Sequence, residues 1–236
     1  MSQSSTKYRP KTFKQVVGQV NVLKKLTSLW DKKKFPNGLL FYGPKGVGKT
    51  TVARIISVSV QCTHSKFGEP CLACRQNKRN FPIFELNASE STGILDIKNF
   101  VKGSTFELSS TKFGKKKVYI LDESHKLSDS SQNLLLKYIE DSPPYVLWIL
   151  PTTRPDKLLD TLRDRCRSCR FVPLSTDEVA LLVQRLLKKL KCKYASEPLV
   201  DALYEKQING GRAIANAVDN YASGLQPEEA VQVDIV

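Results

Sequence analysis

The fold of this 236-residue chain is decided by the stretch Gly43-Pro44-Lys45-Gly46-Val47-Gly48-Lys49-Thr50. It fits G-x-x-x-x-G-K-[ST], a pattern in which glycines let successive backbone N–H groups converge on phosphate oxygens. The apolar residues 38–42 before it predict a buried strand, and residues 51–56 after it predict the start of a helix. The N-terminus of that helix adds partial positive charge at the same point. The stretch therefore predicts a strand, a loop and a helix that together bind a nucleoside triphosphate.

The residue types of this loop indicate how the nucleotide is held. We expect the ammonium group of Lys49 to reach the β- and γ-phosphates and to act in catalysis, and the hydroxyl group of Thr50 to hold Mg²⁺. The predicted nucleotide-binding residues of the loop and its helix are Gly43, Gly46, Val47, Gly48, Lys49, Thr50 and Thr51.

Two adjacent acids supply the remaining chemistry of a triphosphatase. Asp122-Glu123 follow the apolar run 118–121, which predicts a buried strand. A carboxylate at the carboxyl end of a strand, beside a phosphate loop, can complete the Mg²⁺ shell, and the next carboxylate can polarise the attacking water. We therefore assign Asp122 to Mg²⁺ and catalysis, and Glu123 to catalysis. The alternative is a polar turn at the end of a strand, which does not account for the loop.

The same acids begin the sequence Asp122-Glu123-Ser124-His125, which also spells the D-E-x-H of nucleic-acid helicases. A helicase needs a second motor domain with arginines of its own. The rest of the chain is too short for such a domain, so we do not favour a helicase.

The charge of the chain indicates the kind of partner. With 37 Lys and Arg against 23 Asp and Glu, the net charge is +14, which favours a polyanion such as nucleic acid. A basic surface without a partner is the alternative. No apolar run approaches the roughly 18 residues that cross a bilayer, and the N-terminus lacks the apolar core of a secretory signal. These features predict a soluble protein of the bacterial or host cytoplasm without a membrane partner.

The order of the predicted elements indicates an α/β fold. Strands alternate with helices up to about residue 173, which implies a parallel five-stranded sheet flanked by helices. The later strands are predicted at 81–86, 118–121, 145–150 and 170–172, with a short helix around 156–161. A capping box at Ser175 then opens a series of three helices, and the residues after Gly224 stay unassigned. We predict an ATPase domain at 1–173, with a Cys-containing insertion at 62–80, and a small all-helical lid domain at 174–236.

Over residues 7–223, these motifs in this order resemble the AAA+ ATPase subunits of DNA clamp loaders, namely the bacterial gamma/tau subunit and the small subunits of replication factor C. Residues 7–13 and 16–19 are similar to the family's N-terminal segment, which packs on the adenine. The resemblance thereby implies that Tyr8, Arg9 and Val17 bind the nucleotide. Residues 85–89 are similar to the second strand of the replication factor C subunits. The residues after them, through Gly93 and Ile94, are similar to the helix start that contacts DNA phosphates in the family, as a bare helix N-terminus would also do.

The resemblance implies three further residues of the ATPase cycle. Thr152 or Thr153 corresponds to sensor 1, a polar side chain that reads the γ-phosphate. Residues 163–166 are similar to the Ser-Arg-Cys motif, which makes Arg165 the finger that acts in trans on a neighbouring subunit's ATP. Arg212 corresponds to sensor 2 of the lid. The helix macrodipole disfavours a cation at this helix start, which supports a phosphate partner for Arg212.

The insertion has a candidate zinc site. In gamma/tau subunits it carries four cysteines in the pattern C-x₈-C-x₂-C-x₂-C, whereas this chain has Cys62, Cys71 and Cys74 at the first three positions and Asn77 at the fourth. Structural zinc takes four N or S ligands in a tetrahedron, so His64 would complete the set as Cys₃His. Water as the fourth ligand, or an insertion that packs without metal, are the alternatives. Zn²⁺ therefore stands beside ATP and Mg²⁺ as a candidate cofactor.

The resemblance implies ATP-driven loading of a sliding clamp onto primer–template DNA. The implied partners are the backbone of double-stranded DNA, the clamp, and other clamp-loader subunits in a pentameric ring. Two alternatives are a non-hydrolysing scaffold subunit of the same complex, and another AAA+ DNA machine of the helicase-loader or branch-migration type. The family's collar domain has no counterpart in residues 1–236, which leaves open a shortened product, a compact or viral version, or a weak assembler.

Overall fold

A computed structural model describes residues 8–90, 93–103 and 116–232 of the chain. Three predicted features extend beyond the described residues. They are Lys7 of the N-terminal segment, residues 91–92 at the predicted DNA-contacting helix start, and residues 233–236 of the predicted lid.

A five-stranded sheet lies at the centre of the described structure, and every pair of neighbouring strands is parallel. In chain order the strands are β1 (Gly38–Tyr42), β2 (Ile83–Asn87), β3 (Lys117–Asp122), β4 (Val146–Thr152) and β5 (Arg167–Arg170). They are arranged as β2-β3-β4-β1-β5, which confirms the predicted sheet. Because all strands run in one direction, the carboxyl ends of β1, β3 and β4 lie at the same edge, where open α/β sheets bind their ligands.

Ten α-helices accompany the sheet in the described part of the chain. They are α1 (Val20–Asp31), α2 (Lys49–Ser59), α3 (Leu72–Gln76), α4 (Ile94–Gly103), α5 (Asp129–Glu140), α6 (Asp160–Asp164), α7 (Thr176–Leu190), α8 (Glu197–Glu205), α9 (Gly211–Ala222) and α10 (Pro227–Gln232). Short 3₁₀ helices lie at Phe13–Gln15, Lys78–Asn80, Ser124–Lys126 and Pro155–Lys157. Among the described residues, none of these helices has the length and apolarity needed to cross a membrane.

Both faces of the sheet are covered, because successive residues of the central strands enter different cores. Leu39 and Phe41 of β1 pack with α1 and α2, whereas Leu40 packs with α4, α5 and α6. In β3, Ile120 packs in the core with α1 and α2, and Leu121 packs in the core with α4, α5 and α6. Parallel strands buried on both faces require continuous apolar runs, which is why these strands were recognisable in the sequence.

A third core is formed by helices α7–α10, where the sequence predicts the lid. Ser175 starts α7 with the predicted capping box: its hydroxyl accepts the N–H of Glu178, and the Glu178 carboxylate accepts the N–H of Ser175 at 2.9 Å. Tyr8 and Val17 pack against this core, so the N-terminal segment lies beside the helices. Part of the unassigned tail forms α10, and the domain boundary near residue 173 stays a prediction.

The last strand lies three residues before its predicted position, at Arg167–Arg170 instead of 170–172. In the described sheet β5 is an edge strand that pairs with β1, and three of its four residues are exposed. Apolar periodicity therefore could not mark it. The apolar Phe171 comes directly after the strand and donates its N–H to the carbonyl of Tyr42 at 2.7 Å.

The helix predicted at 156–161 is wrong as a single element. The chain forms the 3₁₀ helix Pro155–Lys157 and then, after a break, α6. The buried side chain of Gln132 explains the break, because its amide donates to the carbonyl of Lys157 at 3.2 Å and accepts the N–H of Leu159 at 2.8 Å. These bonds satisfy backbone groups that a continuous helix would pair internally.

We predict that Leu147→Ala lowers the free energy of unfolding by about 2–5 kcal/mol, because this β4 side chain is 0% exposed. Denaturant unfolding followed by circular dichroism measures the loss. Leu95→Ala is the matched control: it removes the same atoms from a side chain that is 68% exposed, and should change stability by less than about 0.5 kcal/mol. Equal losses in both variants would contradict the placement of Leu147 in the core.

Candidate nucleotide-binding site

The glycine-rich loop connects β1 to α2 and has a backbone that only glycine adopts easily. Gly43, Gly46 and Gly48 have φ angles of 147°, 83° and 101°. A Cβ on Gly43 would lie 2.2 Å from the carbonyl oxygen of Phe171, so this position has no room for a side chain. α2 begins at Lys49, directly after the loop, and its unpaired N–H groups therefore face the site.

Lys49 is a buried cation held by the loop itself. Its Nζ donates to the carbonyl oxygens of Gly43 at 2.8 Å and Pro44 at 2.6 Å. Burial lowers the pKa of Lys49, while the carboxylates of Glu123 and Asp122 act in the opposite direction. A buried ammonium group requires such partners, and an arriving anion would add a stronger one.

The predicted Mg²⁺ residues are in direct contact. Thr50 Oγ1 donates to Asp122 Oδ2 at 2.8 Å, although the two residues are 72 positions apart in the chain. The other carboxylate oxygen, Oδ1, accepts the N–H of Glu123 at 3.0 Å. The arrangement brings a hydroxyl and a carboxylate together beside the loop, and hard oxygen ligands of this kind suit Mg²⁺.

A single cleft is lined by the loop, the acids after β3, the N-terminal segment and the helical core. The predicted residues that line it are Tyr8, Arg9, Val17, Gly46, Val47, Gly48, Lys49, Thr50, Thr51, Asp122, Glu123 and Arg212. Arg212 is brought in by the start of α9: its Cβ lies 3.8 Å, and the Cα of Gly210 3.7 Å, from where a Cβ on Gly46 would be. The first turn of α9 thus packs on the loop. Gly43 does not line the cleft, and its backbone instead packs against Phe171 at the start of the loop.

Gln19 ties three parts of the cleft together, and sequence reasoning missed it. Its buried amide donates to the carbonyl of Val172 at 2.6 Å and accepts the N–H of Val172 at 3.2 Å. The same Nε2 lies 3.4 Å from the carbonyl of Val47 in the loop. Gln19 therefore links the N-terminal segment, the glycine-rich loop and the connection from β5 to α7.

The two sensor-1 candidates have different surroundings. Thr152 is 0% exposed, and its hydroxyl accepts the N–H of Arg154 at 3.1 Å and lies 3.1 Å from Nδ1 of His125. Its polar group is thus engaged inside the protein. Thr153 is partly exposed, which makes it the candidate that can face a ligand. Neither residue lines the cleft.

Arg165 lies away from the cleft of its own chain. It is the C-cap residue directly after α6, and its side chain is 62% exposed. Its Nε is paired with Oε1 of Glu140 at 2.8 Å. The site of the same chain therefore lacks Arg165, as the sequence-based assignment to a neighbouring subunit requires.

The insertion brings the four candidate zinc ligands together. The ligand atoms of Cys62, His64, Cys71 and Cys74 all lie within 4.8 Å of one another. Nδ1 of His64 is 3.7 Å from the sulfur of Cys74 and 4.0 Å from that of Cys71. A tetrahedral site with Zn–S bonds of about 2.3 Å and Zn–N bonds of about 2.0 Å has ligand separations of about 3.5–3.8 Å, so this donor set fits zinc.

Two thiols of the insertion, those of Cys62 and Cys74, have shifted pKa values. Burial raises the pKa of Cys62, but hydrogen bonds from Ser65 and from the backbone of Cys71 and His64 outweigh it and lower the pKa to about 6. Burial, followed by the neighbouring Cys71 and Cys62, raises the pKa of Cys74 to about 12. The thiolate of Cys62 therefore forms readily, whereas the thiolate of Cys74 needs a nearby cation to offset its negative charge.

Comparison with known proteins identifies the family of the chain. The family model for the DNA polymerase III delta subunit matches residues 18–175. The chain belongs to this family. It is 35% identical over 223 residues to the DNA polymerase III subunit gamma/tau of Mycoplasma genitalium, covering 92% of this chain and 37% of the relative. It is 34% identical over 177 residues to the subunit tau of Bacillus subtilis, covering 73% of this chain and 31% of the relative. The resemblance based on motifs is thereby confirmed.

The chain spans about a third of the length of these two relatives. Among solved structures, it resembles the RuvB Holliday junction branch migration motor of Thermotoga maritima, with a TM-score of 0.64, 20% identity, and coverage of 95% of this chain and 70% of the other. At that identity the likeness concerns the fold alone. It confirms the predicted fold of a parallel five-stranded sheet flanked by helices, with a helical C-terminal region.

Several cleft residues of this family member escaped the sequence analysis. Arg185 and Lys189 of α7 line the cleft together with the apolar residues Leu174, Leu182, Leu186 and Ala215. Positions 182, 185, 186 and 189 share one helical face, which their spacing in the sequence allows one to see. The spacing does not show what that face contacts, so the sequence alone did not indicate that part of α7 faces the nucleotide site.

Proposed function

We propose that this chain is an ATP-hydrolysing clamp-loader subunit that acts in loading a sliding clamp onto primer–template DNA. The observation that carries the proposal is the contact between Thr50 and Asp122 beside the glycine-rich loop, in a member of the DNA polymerase III delta-subunit family. The fold and the family support the ATPase. The clamp, the DNA and the ring come from the resemblance described above.

Binding of ATP would use the loop and the N-terminal segment. The phosphates would lie against the loop N–H groups and the start of α2, and Lys49 would exchange its two carbonyl partners for phosphate oxygens. Thr50 and Asp122 would hold Mg²⁺, which neutralises charge on the phosphates. Tyr8, Arg9 and Val17, which line the cleft, would contact the adenosine end.

Hydrolysis would combine residues of two subunits. Glu123 would orient a water molecule and accept its proton while the water oxygen attacks the γ-phosphorus and ADP leaves. Two positions would sense the γ-phosphate. One is Arg212, and the other is Thr153 itself or Thr152 acting through Thr153. Arg165 would reach the ATP of the adjacent subunit in a pentameric ring, because it is exposed and absent from its own cleft.

The charge of the chain supports DNA as the partner. A net charge of +14 favours binding to a phosphate backbone, which needs no contact with base edges. The family relatives are subunits of DNA polymerase III, which by its name acts on DNA. We therefore place the proposed activity in the cytoplasm, where the clamp and other loader subunits would be its companions.

We also propose that Cys62, His64, Cys71 and Cys74 hold a structural Zn²⁺. His64 would take the place of the missing fourth cysteine through Nδ1. Cys71 and Cys74 flank the first turn of α3, where the N–H of Cys74 lies 3.5 Å from the sulfur of Cys71. The metal would join residues 62–64, which follow α2, to the start of α3, beside a small core that contains Cys62 and Cys74.

The nucleotide proposal is tested with Lys49→Met and Glu123→Gln in the full chain, reconstituted with its companions. Loss of the Lys49 charge should weaken ATP binding about 10–100-fold, because charge-assisted hydrogen bonds to phosphate disappear. Glu123→Gln should keep ATP binding and lower hydrolysis about 10²–10⁴-fold, because the water loses its base. Equilibrium binding of labelled ATP and release of phosphate are the measurements.

Lys188→Met is the charge-matched control for Lys49→Met, since this exposed residue of α7 does not line the cleft. Its ATP affinity should equal that of the unmodified chain. If the reconstituted chain never retains ATP, the proposed function is wrong. If the complex that contains Glu123→Gln hydrolyses ATP at the normal rate, Glu123 is not the base of its hydrolysis. Either this chain uses another group, or the companions hydrolyse the ATP and this chain is a scaffold subunit.

The finger assignment predicts complementation between two inactive variants. Arg165→Ala should bind ATP normally but lose hydrolysis by about 10³–10⁵-fold, because the cation that stabilises the transition state is missing. Mixed with Lys49→Met, whose finger is intact, it should regain part of the activity. Arg163→Ala is the control, since Arg163 is paired with Asp160 of its own helix. A mixture no more active than its separate components would contradict action in trans.

The zinc proposal predicts about one Zn²⁺ per chain after purification, measured by atomic emission. His64→Ala and Cys74→Ser should each lower the bound zinc severalfold and destabilise the insertion, because a three-ligand site is left. Cys192→Ser is the matched control, as this cysteine lies outside the cluster. Full zinc content in His64→Ala would show that His64 is not a ligand.

A further inference from the structure

The two residues after Glu123 tie the end of β3 to the end of β4. Ser124 is buried, and its hydroxyl donates to the carbonyl of Pro151 at 3.1 Å. His125 is next, and its Nδ1 lies 3.1 Å from Oγ1 of the fully buried Thr152. Two consecutive side chains of one 3₁₀ helix thus bind two consecutive residues of the neighbouring strand.

This attachment encloses a strained residue. Glu123 has φ 52° and ψ 40°, a left-handed conformation that non-glycine residues rarely adopt. Such a conformation persists only where its surroundings fix it, and it is concentrated at functional sites. Here Asp122 accepts the N–H of Glu123 on one side, and the contacts of Ser124 and His125 fix the chain on the other.

The imidazole of His125 also faces the carboxylate of Glu123. The same Nδ1 that contacts Thr152 lies 3.5 Å from Oε2 of Glu123, and the ring is only 8% exposed. Burial lowers the pKa of His125, so the ring is neutral near pH 7. The carboxylate of Glu123 raises this pKa, whereas the positive charges of Lys126, Lys157 and Arg154 lower it further. One ring atom therefore lies between a buried hydroxyl of β4 and the carboxylate.

We propose that His125 is a positioning residue for ATP hydrolysis, fixed by Thr152 and limiting the Glu123 carboxylate to the orientation that meets the attacking water. The inference rests on the proposed function and assigns a role to the fourth residue of the Asp122–His125 sequence. Because Thr152 adjoins Thr153, His125 gives a displacement at the end of β4 a direct side-chain path to the carboxylate. His125 itself touches no reacting atom.

The test compares His125→Phe with His125→Asn in the reconstituted full chain. Phenylalanine fills the space of the ring but removes Nδ1, whereas the amide of asparagine places a polar atom near the Nδ1 position. We expect His125→Phe to lower kcat about tenfold or more, since displacement of a catalytic group by about 1 Å costs up to roughly 10²-fold. ATP affinity should stay within about twofold, and His125→Asn should recover most of kcat.

A double-mutant cycle with Thr152→Val separates this role from general packing. If His125 acts through Thr152, adding His125→Phe to Thr152→Val should lower kcat by much less than it does alone. Lys126→Ala is the control, an exposed neighbour in the same 3₁₀ helix, and should leave kcat unchanged.

Three outcomes would overturn the inference while leaving the proposed function intact. They are normal kcat in His125→Phe, equal kcat in the phenylalanine and asparagine variants, and additive effects in the cycle. Loss of ATP affinity or of thermal stability that accounts for the whole decrease in kcat would show a purely structural residue. If the unmodified chain hydrolyses no ATP with its companions, the proposed function and this inference both fail.

Discussion

The parallel alignment of β1, β4 and β3 is the constraint on which the site depends. β4 lies between the other two strands, so the loop after β1 and the acids after β3 meet only because all three strands end at one edge. The hydrogen bond from Thr50 to Asp122 joins them. Ile120 and Leu121 are buried in opposite cores, and a shift of one residue would exchange their faces and turn Asp122 away. Hydrophobic burial thereby sets the position of a charged group.

Contacts across the cleft make the loop and the helical core interdependent. The first turn of α9 packs on Gly46, and the carbonyl of Phe171 occupies the space beside Gly43. Gln19 adds hydrogen bonds that join the loop to the chain segment leading into α7. A movement of α7–α10 would therefore disturb the loop, and a ligand that favours one arrangement of the loop would favour one position of those helices. Such reciprocity is a requirement of thermodynamic linkage between binding and conformation.

The sequence alone predicted the structure correctly where a local pattern of residues is compatible with only one type of element. The glycine-rich loop requires a strand before it and a helix after it, and the buried strands β3 and β4 require apolar runs. The edge strand β5 lacks such a run because three of its four residues are exposed. Gln19 and Arg185 gain their importance only from residues distant in the chain, and no local pattern marks those contacts. Long-range pairing is the part that required the structure.

Lys49 is buried and Arg165 is exposed, and this difference fits the different tasks proposed for the two cations. Lys49 is buried and held by two carbonyl groups, so its ammonium group is oriented before a ligand arrives. The low-polarity surroundings strengthen its interaction with a bound anion. Arg165 is largely exposed, and its ion pair with Glu140 engages Nε. Exposed ion pairs contribute little to stability, so this pair can be exchanged for another partner at small cost. A residue that serves another molecule must be held this loosely, because a buried pair would cost too much to exchange for a phosphate.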